Sequence, residues 1–145
     1  MKRTVLAAVL SLAAACNAFA LDRPLAVNEA LNKLDVANHT SAEIKTYAKA
    51  IRGARTEGSG KVVDVHEGRR DKHRVTILVD STKPEKGYNV VLYTAMNAPA
   101  ELKKGQKIRF SGKVGRVSTF RGTSIDIHGE YESSRKPAAG KRTKN

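Results

Sequence analysis

The residues best suited to chemistry are basic, and they fall in two short stretches. The first is His66-Glu67-Gly68-Arg69-Arg70-Asp71-Lys72-His73-Arg74. The second is Arg116-Val117-Ser118-Thr119-Phe120-Arg121-Gly122. Arg69, Arg70, Lys72, Arg74, Arg116 and Arg121 supply cations that neutralise phosphates. Phe120, with Tyr88 and Tyr93 between the two stretches, supplies aromatic faces on which bases stack at roughly 1–3 kcal/mol each. Together they describe a groove for a polyanion, and single-stranded nucleic acid engages both kinds of side chain. The formal net charge of +13 points the same way, since a large positive excess attracts nucleic acid, anionic headgroups or acidic glycans. Lys107, Arg109 and Lys113 alternate along one stretch and would extend the surface on one side of a strand. Aromatics make up only 5% of the chain, which is thin for a stacking platform. The competing reading is a set of solvated loops and an ordinary charged strand face.

Other chemistries find less support. His39, His66, His73 and His128 are scattered. His66 and His128 would approach each other if the first and last strands paired, but two imidazoles without a third ligand make a poor metal site. No Ser/His/Asp arrangement and no phosphate-cradling glycine loop is recognisable. The sequence therefore predicts a non-catalytic protein with no cofactor and no metal.

The first twenty residues read as a secretory signal. Lys2 and Arg3 precede an apolar run from Val5 to Ala15, and Ala18-Phe19-Ala20 fits a small-x-small cleavage site. That run is too short for a convincing membrane span, and no transmembrane segment is expected in the mature chain. Removing it takes away Lys2 and Arg3 and lowers the charge by two. The expected location is the periplasm or the exterior. Cys16 is the single cysteine. Cleavage after Ala20 leaves none, so no disulfide or thiolate site follows. A second reading makes Cys16 a lipid anchor, although Ala13 stands where such a motif has a larger aliphatic residue.

These groups must be positioned by a scaffold, and the apolar periodicity supplies one. Residues 21–54 read as a helical lead-in. Val27, Ala30, Leu31 and Leu34 recur at helical spacing. Thr40-Ser41-Ala42-Glu43 is a capping box, and Ile44, Tyr47, Ala48 and Ile51 form one stripe ending near Gly53. From residue 55 the period becomes two. Strands are predicted at Lys61–Val65, at Val75–Asp80, at Tyr88–Tyr93, around Ile108–Val114 and around Thr123–Ile127, with a helical turn near Ala98–Leu102. Lys83-Pro84-Glu85-Lys86-Gly87 is a turn by composition. Residues 133–145 lack large apolar side chains and read as a disordered basic tail with Lys141, Arg142 and Lys144.

Five strands over residues 55–132, with Gly60 and Gly112 inside strand runs as bends, predict a mainly β fold. Its form is a five-stranded Greek-key barrel of the OB type behind an α-helical segment. An SH3-like barrel or a small sandwich is the alternative. In an OB barrel the loop between the first two strands, the face of the second and third, and the loop between the last two form the ligand groove. Both basic stretches fall on those loops.

Gly60-Lys61-Val62-Val63-Asp64-Val65 resembles the first strand of OB domains of the tRNA-anticodon-binding type. Leu102-Lys103-Lys104-Gly105-Gln106-Lys107-Ile108-Arg109-Phe110-Ser111-Gly112-Lys113-Val114 resembles their fourth. Asn28-Glu29 and Tyr47 also fit the exported, anticodon-binding-like bacterial branch, over roughly residues 27–131. The resemblance implies a barrel and a binding role and names no ligand. Gly60 to Gly68 is also similar to the opening of staphylococcal-type nucleases. That family continues with an acidic pair for a metal, whereas Arg69-Arg70-Asp71 follows here, so a degenerate nuclease is the weaker reading. The expected function is an exported binding module for a polyanion such as single-stranded nucleic acid. The alternative is an envelope protein–protein interaction module or accessory subunit.

Overall fold

The structure is a computed structural model that describes residues 23–69, 72–79, 84–95 and 102–133. The signal over residues 1–20 with Cys16, the turn at Ala98-Pro99-Ala100-Glu101 and the tail from residue 134 lie outside the described residues, as do Arg70, Asp71, Asp80 and Lys83.

The lead-in forms two helices. Helix α1 (Val27–Lys33) buries Val27, Ala30 and Leu31, and Leu34 just beyond it is fully buried, so the predicted stripe is core. Helix α2 (Ser41–Ala50) starts at the predicted capping box. The Glu43 N–H donates to Thr40 Oγ1 at 3.3 Å, and the Thr40 N–H donates to Glu43 Oε2 at 2.8 Å. These bonds satisfy donors that a helix start otherwise leaves open. Ile44 and Ile51 are buried, with Tyr47 and Ala48 packed beside them. The Thr123 hydroxyl donates to the Leu34 carbonyl at 3.1 Å, which ties the lead-in to the start of the last strand.

The strands are β1 (Leu25–Ala26), β2 (Arg55–His66), β3 (His73–Leu78), β4 (Val90–Thr94), β5 (Lys107–Ser118) and β6 (Ser124–Ser133). Their order is β1-β2-β3-β4-β6-β5, and β2 pairs with β5 to close a barrel of β2 to β6. The β4–β6 contact is parallel and the other barrel contacts are antiparallel. This closed five-strand order is that of an OB fold. Val62, Val75, Ile77, Leu92, Ile108, Ile125 and Ile127 are essentially inaccessible inside it. Each such side chain stabilises the fold by about 1.5–3 kcal/mol relative to exposure.

Strand β2 serves two partners. Residues 55–61 pair with β5, and residues 61–66 pair with β3. The changeover falls at Gly60, where a Cβ would stand 2.5 Å from the Leu78 carbonyl oxygen. Glycine there lets the backbones approach, as its place in the sequence suggested.

The structure also corrects several expectations. The first strand begins six residues before Lys61, at Arg55. Strand β4 begins at Val90; just before it the backbone of the buried Asn89 still donates to the Ile77 carbonyl at 3.1 Å and accepts from the Ile125 N–H at 3.0 Å, while its side chain braces the β3–β4 turn. Its Oδ1 accepts from the Val79 N–H at 2.8 Å, and its Nδ2 donates to the Val79 carbonyl at 2.7 Å. Strand β1, parallel to β2, was unforeseen because two residues carry no periodicity. Closure joins β2 to β5 rather than to β6, so His66 and His128 are not neighbours.

Candidate functional site

Side chains alternate along strands, so the ladder registers decide which outward groups stand abreast. With Val75, Ile77, Leu92, Ile125 and Ile127 inside, Arg74, Thr76, Val91, Tyr93, Asp126 and His128 face outward. Arg74 stands opposite Tyr93, Tyr93 beside His128, and His128 opposite Lys113. One row across four strands therefore reads Arg74, Tyr93, His128, Lys113. The next row reads Thr76, Val91 and Asp126, and it meets the β5 irregularity between Val114 and Val117.

The centre of the first row is aromatic. The rings of Tyr93 and His128 stack with centroids 5.2 Å apart and planes 20° from parallel. Gly115 makes room for them, since a Cβ there would stand 2.7 Å from His128 Nε2. A recess of about 480 Å³ opens beside the pair, lined by Lys72, Tyr93, Thr94, Ala95, His128 and Glu130 among others. Arg74, Lys113 and Lys72 are exposed. Among the described residues no carboxylate closes an ion pair with any of the three.

Acids border this face as well: Glu130 lines the recess, Asp64 stands opposite Thr76 at its β2 side, and Asp126 lies in the second row on β6. Burial pushes the Asp126 carboxyl above the ordinary aspartate range, against the opposing pull of Arg116, His128, Lys86 and Arg74. Arg116 is exposed on β5 at the irregularity between Val114 and Val117. At the β2 edge, Asp64 is instead held below its ordinary value. The main cause is the hydrogen bond from Lys104, whose Nζ stands 3.1 Å from Oδ1; His66 Nε2 lies 3.2 Å from Oδ2.

The two basic stretches do not meet over one cleft. The β2–β3 loop, with the exposed Arg69, leaves from the end of β3 where His73 faces Thr94. The β5–β6 turn lies near the other end, where Val90 pairs with both Ile77 and Ile125. A Cβ at Gly122 would come 3.6 Å from the Glu85 N, within the β3–β4 turn. Four residues separate the two ends, roughly 13 Å at about 3.3 Å per residue. The loops bound one face from opposite ends, so a ligand touching both must lie along it. Phe120 is 72% exposed at the far turn. The Arg121 guanidinium stands 5.4 Å from its ring centroid, on a backbone with φ +52°. Tyr88 is half-buried just before β4 and is not part of the stacked pair.

Of the residues singled out in the sequence, Arg74, Tyr93 and Lys113 stand in this row and Lys72 lines the recess beside it, whereas His128 and Asp126 were not assigned to the groove. Their alternation with Ile125 and Ile127 already placed them outward. What the sequence lacked was the parallel β4–β6 register that sets His128 against Tyr93. Among the described residues, no three His, Cys, Asp or Glu side chains form a metal-binding group.

The fold and this face define the class: an OB-type barrel with a cationic, aromatic-centred outer face. No protein-family model and no curated protein matches the sequence. Among solved structures, the chain is similar to a chain of a replication protein A heterotrimer bound to ssDNA. The identity is 13%, the coverage 77% of this chain and 79% of that one, and the TM-score 0.44. It is also similar to an OBody bound to hen egg-white lysozyme, at 20% identity, coverage of 68% and 94%, and TM-score 0.44. A third is Schizosaccharomyces pombe Pot1pC bound to ssDNA, at 9% identity, coverage of 62% and 86%, and TM-score 0.39. The barrel assignment rests on the strand order and registers above.

Proposed function

We propose that this protein is an exported, non-catalytic binding module whose β3–β4–β6 face holds single-stranded nucleic acid. The observation that carries the reading is the stacked Tyr93–His128 pair set in one row between Arg74 and Lys113. Aromatic faces take bases, and cations on either side take the phosphates on either side of them. A duplex hides its base faces, so this arrangement favours an unpaired strand. Lys72 and Arg69 at one end, with Arg116, Arg121 and Phe120 toward the other, fit a strand laid along the face; Arg70 belongs to the same basic stretch of the sequence but lies outside the described residues. The reading of residues 1–20 as a signal, and the resemblance to exported OB proteins of the anticodon-binding-like type, set this activity in the periplasm or outside the cell. Lipidation at Cys16 would tether the same module to a membrane surface. No described helix is long and apolar enough to cross a membrane.

Fluorescence anisotropy of a labelled oligonucleotide at low and moderate salt tests the reading. Saturable binding is expected, with log K falling linearly in log salt at a slope of about −0.7 per phosphate neutralised. Tyr93→Ala should weaken binding by roughly 5- to 150-fold, the equivalent of one stacking interaction. Absence of binding at low salt would remove the proposal.

Phe120 favours a second reading, an envelope protein–protein module, because a largely exposed phenyl ring at a turn tip suits a partner's pocket. Cross-linking from envelope fractions separates the two. A specific partner retained at high salt and lost in Phe120→Ser supports a protein ligand.

A further inference from the structure

We propose that Asp126 makes this face selective among bases: its carboxylate accepts a hydrogen bond from the exocyclic amino group of a cytosine held beside the Tyr93–His128 pair, and it turns thymine and uracil away. The inference rests on the single-strand reading above.

The placement comes first. Asp126 lies two residues before His128 on the outer face of β6, so the two are about 7 Å apart along the strand. It stands beside Val91, itself opposite Thr76. Val91 is only 7% exposed and forms an apolar floor beside the acid and next to Tyr93 along β4. A base lying over Tyr93 and this floor would have β6 along one edge, where Asp126 stands beside Val91.

The electrostatics come second. Arg116 on β5, His128 on β6, Lys86 in the β3–β4 turn and Arg74 on β3 all act on Asp126. Yet among the described residues no hydrogen bond or ion pair closes on its oxygens. A half-buried carboxylate with open lone pairs, set among cations that would serve phosphates, lowers attraction for every phosphate nearby. The nucleic-acid group that gains from it is an N–H donor on a base edge.

The chemistry comes third. Cytosine presents an amino donor at the position where thymine and uracil present a carbonyl acceptor. Against a carboxylate the first forms a charge-assisted hydrogen bond and the second sets acceptor against acceptor. In a single strand that edge is free. The two pyrimidines share ring size, charge and backbone but differ also at N3 and at the C5 methyl, so it is the part of the preference lost on changing Asp126 that isolates this residue.

The test uses labelled oligo-dC and oligo-dT of about twelve nucleotides, within the span of one OB barrel. Each is titrated at one salt concentration and pH 7.5 into the wild type, Asp126→Asn and Asp126→Ala. The wild type should bind oligo-dC about tenfold more tightly. Both variants should shrink that preference to about twofold or less and bind oligo-dT at least as tightly as the wild type does. Equal binding of the two oligonucleotides by the wild type overturns the inference and leaves the single-strand reading standing. So does an unchanged preference in both variants. Loss of binding to both oligonucleotides in variants that keep the wild-type circular dichroism spectrum also overturns it, since Asp126 would then support the face rather than choose the base. Failure of the wild type to bind either one overturns both readings together.

Discussion

Strands β5 and β6 contribute to two surfaces of opposite character. In the half that carries Arg109, Lys61, Lys107 and Arg109 share the outer wall with Glu57, Glu130 and Glu132. Arg109 Nη2 lies 3.3 Å from Glu132 Oε2, with both side chains largely exposed. A recess of about 900 Å³ opens there beside Asn28 and Asn32 of α1, with charges of both signs on its rim. In the half that carries His128, Lys113 and Arg74 stand in one row across the sheet, Arg116 is among the cations acting on Asp126, and Glu130 lies at the border with the first wall. The first wall balances its charges, and exposed pairs of that kind contribute roughly 0–1 kcal/mol at most. The second leaves its cations unpaired around two stacked rings. The overall charge of +13 cannot tell these walls apart, whereas the register does.

Charge reversal on the two walls is the strongest way to break this contrast. Arg74→Glu with Lys113→Glu should weaken oligonucleotide binding by at least tenfold and flatten the salt slope by about 1.4. Lys107→Glu with Arg109→Glu should change binding by about twofold or less. Equal losses from the two pairs would mean that net charge alone attracts the ligand.

Two smaller effects concern the scaffold that holds the face. Asn89→Ala strips the Val79 N–H and carbonyl of their partner inside the β3–β4 turn, and an unsatisfied buried group costs about 1–3 kcal/mol. Chemical denaturation should show that loss, with weakened ligand binding if the turn positions β4. Thr40→Ala removes the α2 cap and should cost about 1 kcal/mol of stability, with little effect on binding.

The smallest effect is one of pH. The Glu43 carboxyl is held below its ordinary value, first by the hydrogen bond from the Thr40 backbone. Its contribution is complete above the unfolded-state pKa and disappears as pH falls through the lower folded value. Asp126 has the opposite sign. Its raised value favours the protonated folded form, and that contribution fades as pH rises through the folded value. A stability profile from pH 3 to 7 should therefore lose part of its acid-side slope in Glu43→Gln. Asp126→Asn should gain relative stability toward neutral pH.

Much of the scaffold was legible because its signals are local. Ile108, Phe110 and Val114 alternate with Lys107, Arg109 and Lys113, and the first set is buried while the second is exposed. Thr40 and Glu43 announce a helix start through two hydrogen bonds that need no tertiary context. The two basic loops were visible, but their separation was not, because it follows from pairings between residues far apart in sequence. Tyr93 was picked out without His128, since a parallel contact between β4 and β6 leaves no mark in either segment. Tyr88 and Tyr93 look alike in the sequence, yet Tyr88 lies before β4, outside the residues that pair with β3 and β6. Asp126 carries no mark in the sequence because an acid alternating with apolar residues reads as ordinary solvated strand face until its neighbours on β4 and β5 are known.

The most direct test follows backbone amide shifts while an unlabelled oligonucleotide is added. The face described here predicts perturbations concentrated at Arg74–Thr76, Val91–Thr94 and Asp126–Gly129, with the amides of Glu57–Lys61 and Lys107–Ser111 nearly still. Shifts centred on that second set, or spread evenly over both walls, would contradict it.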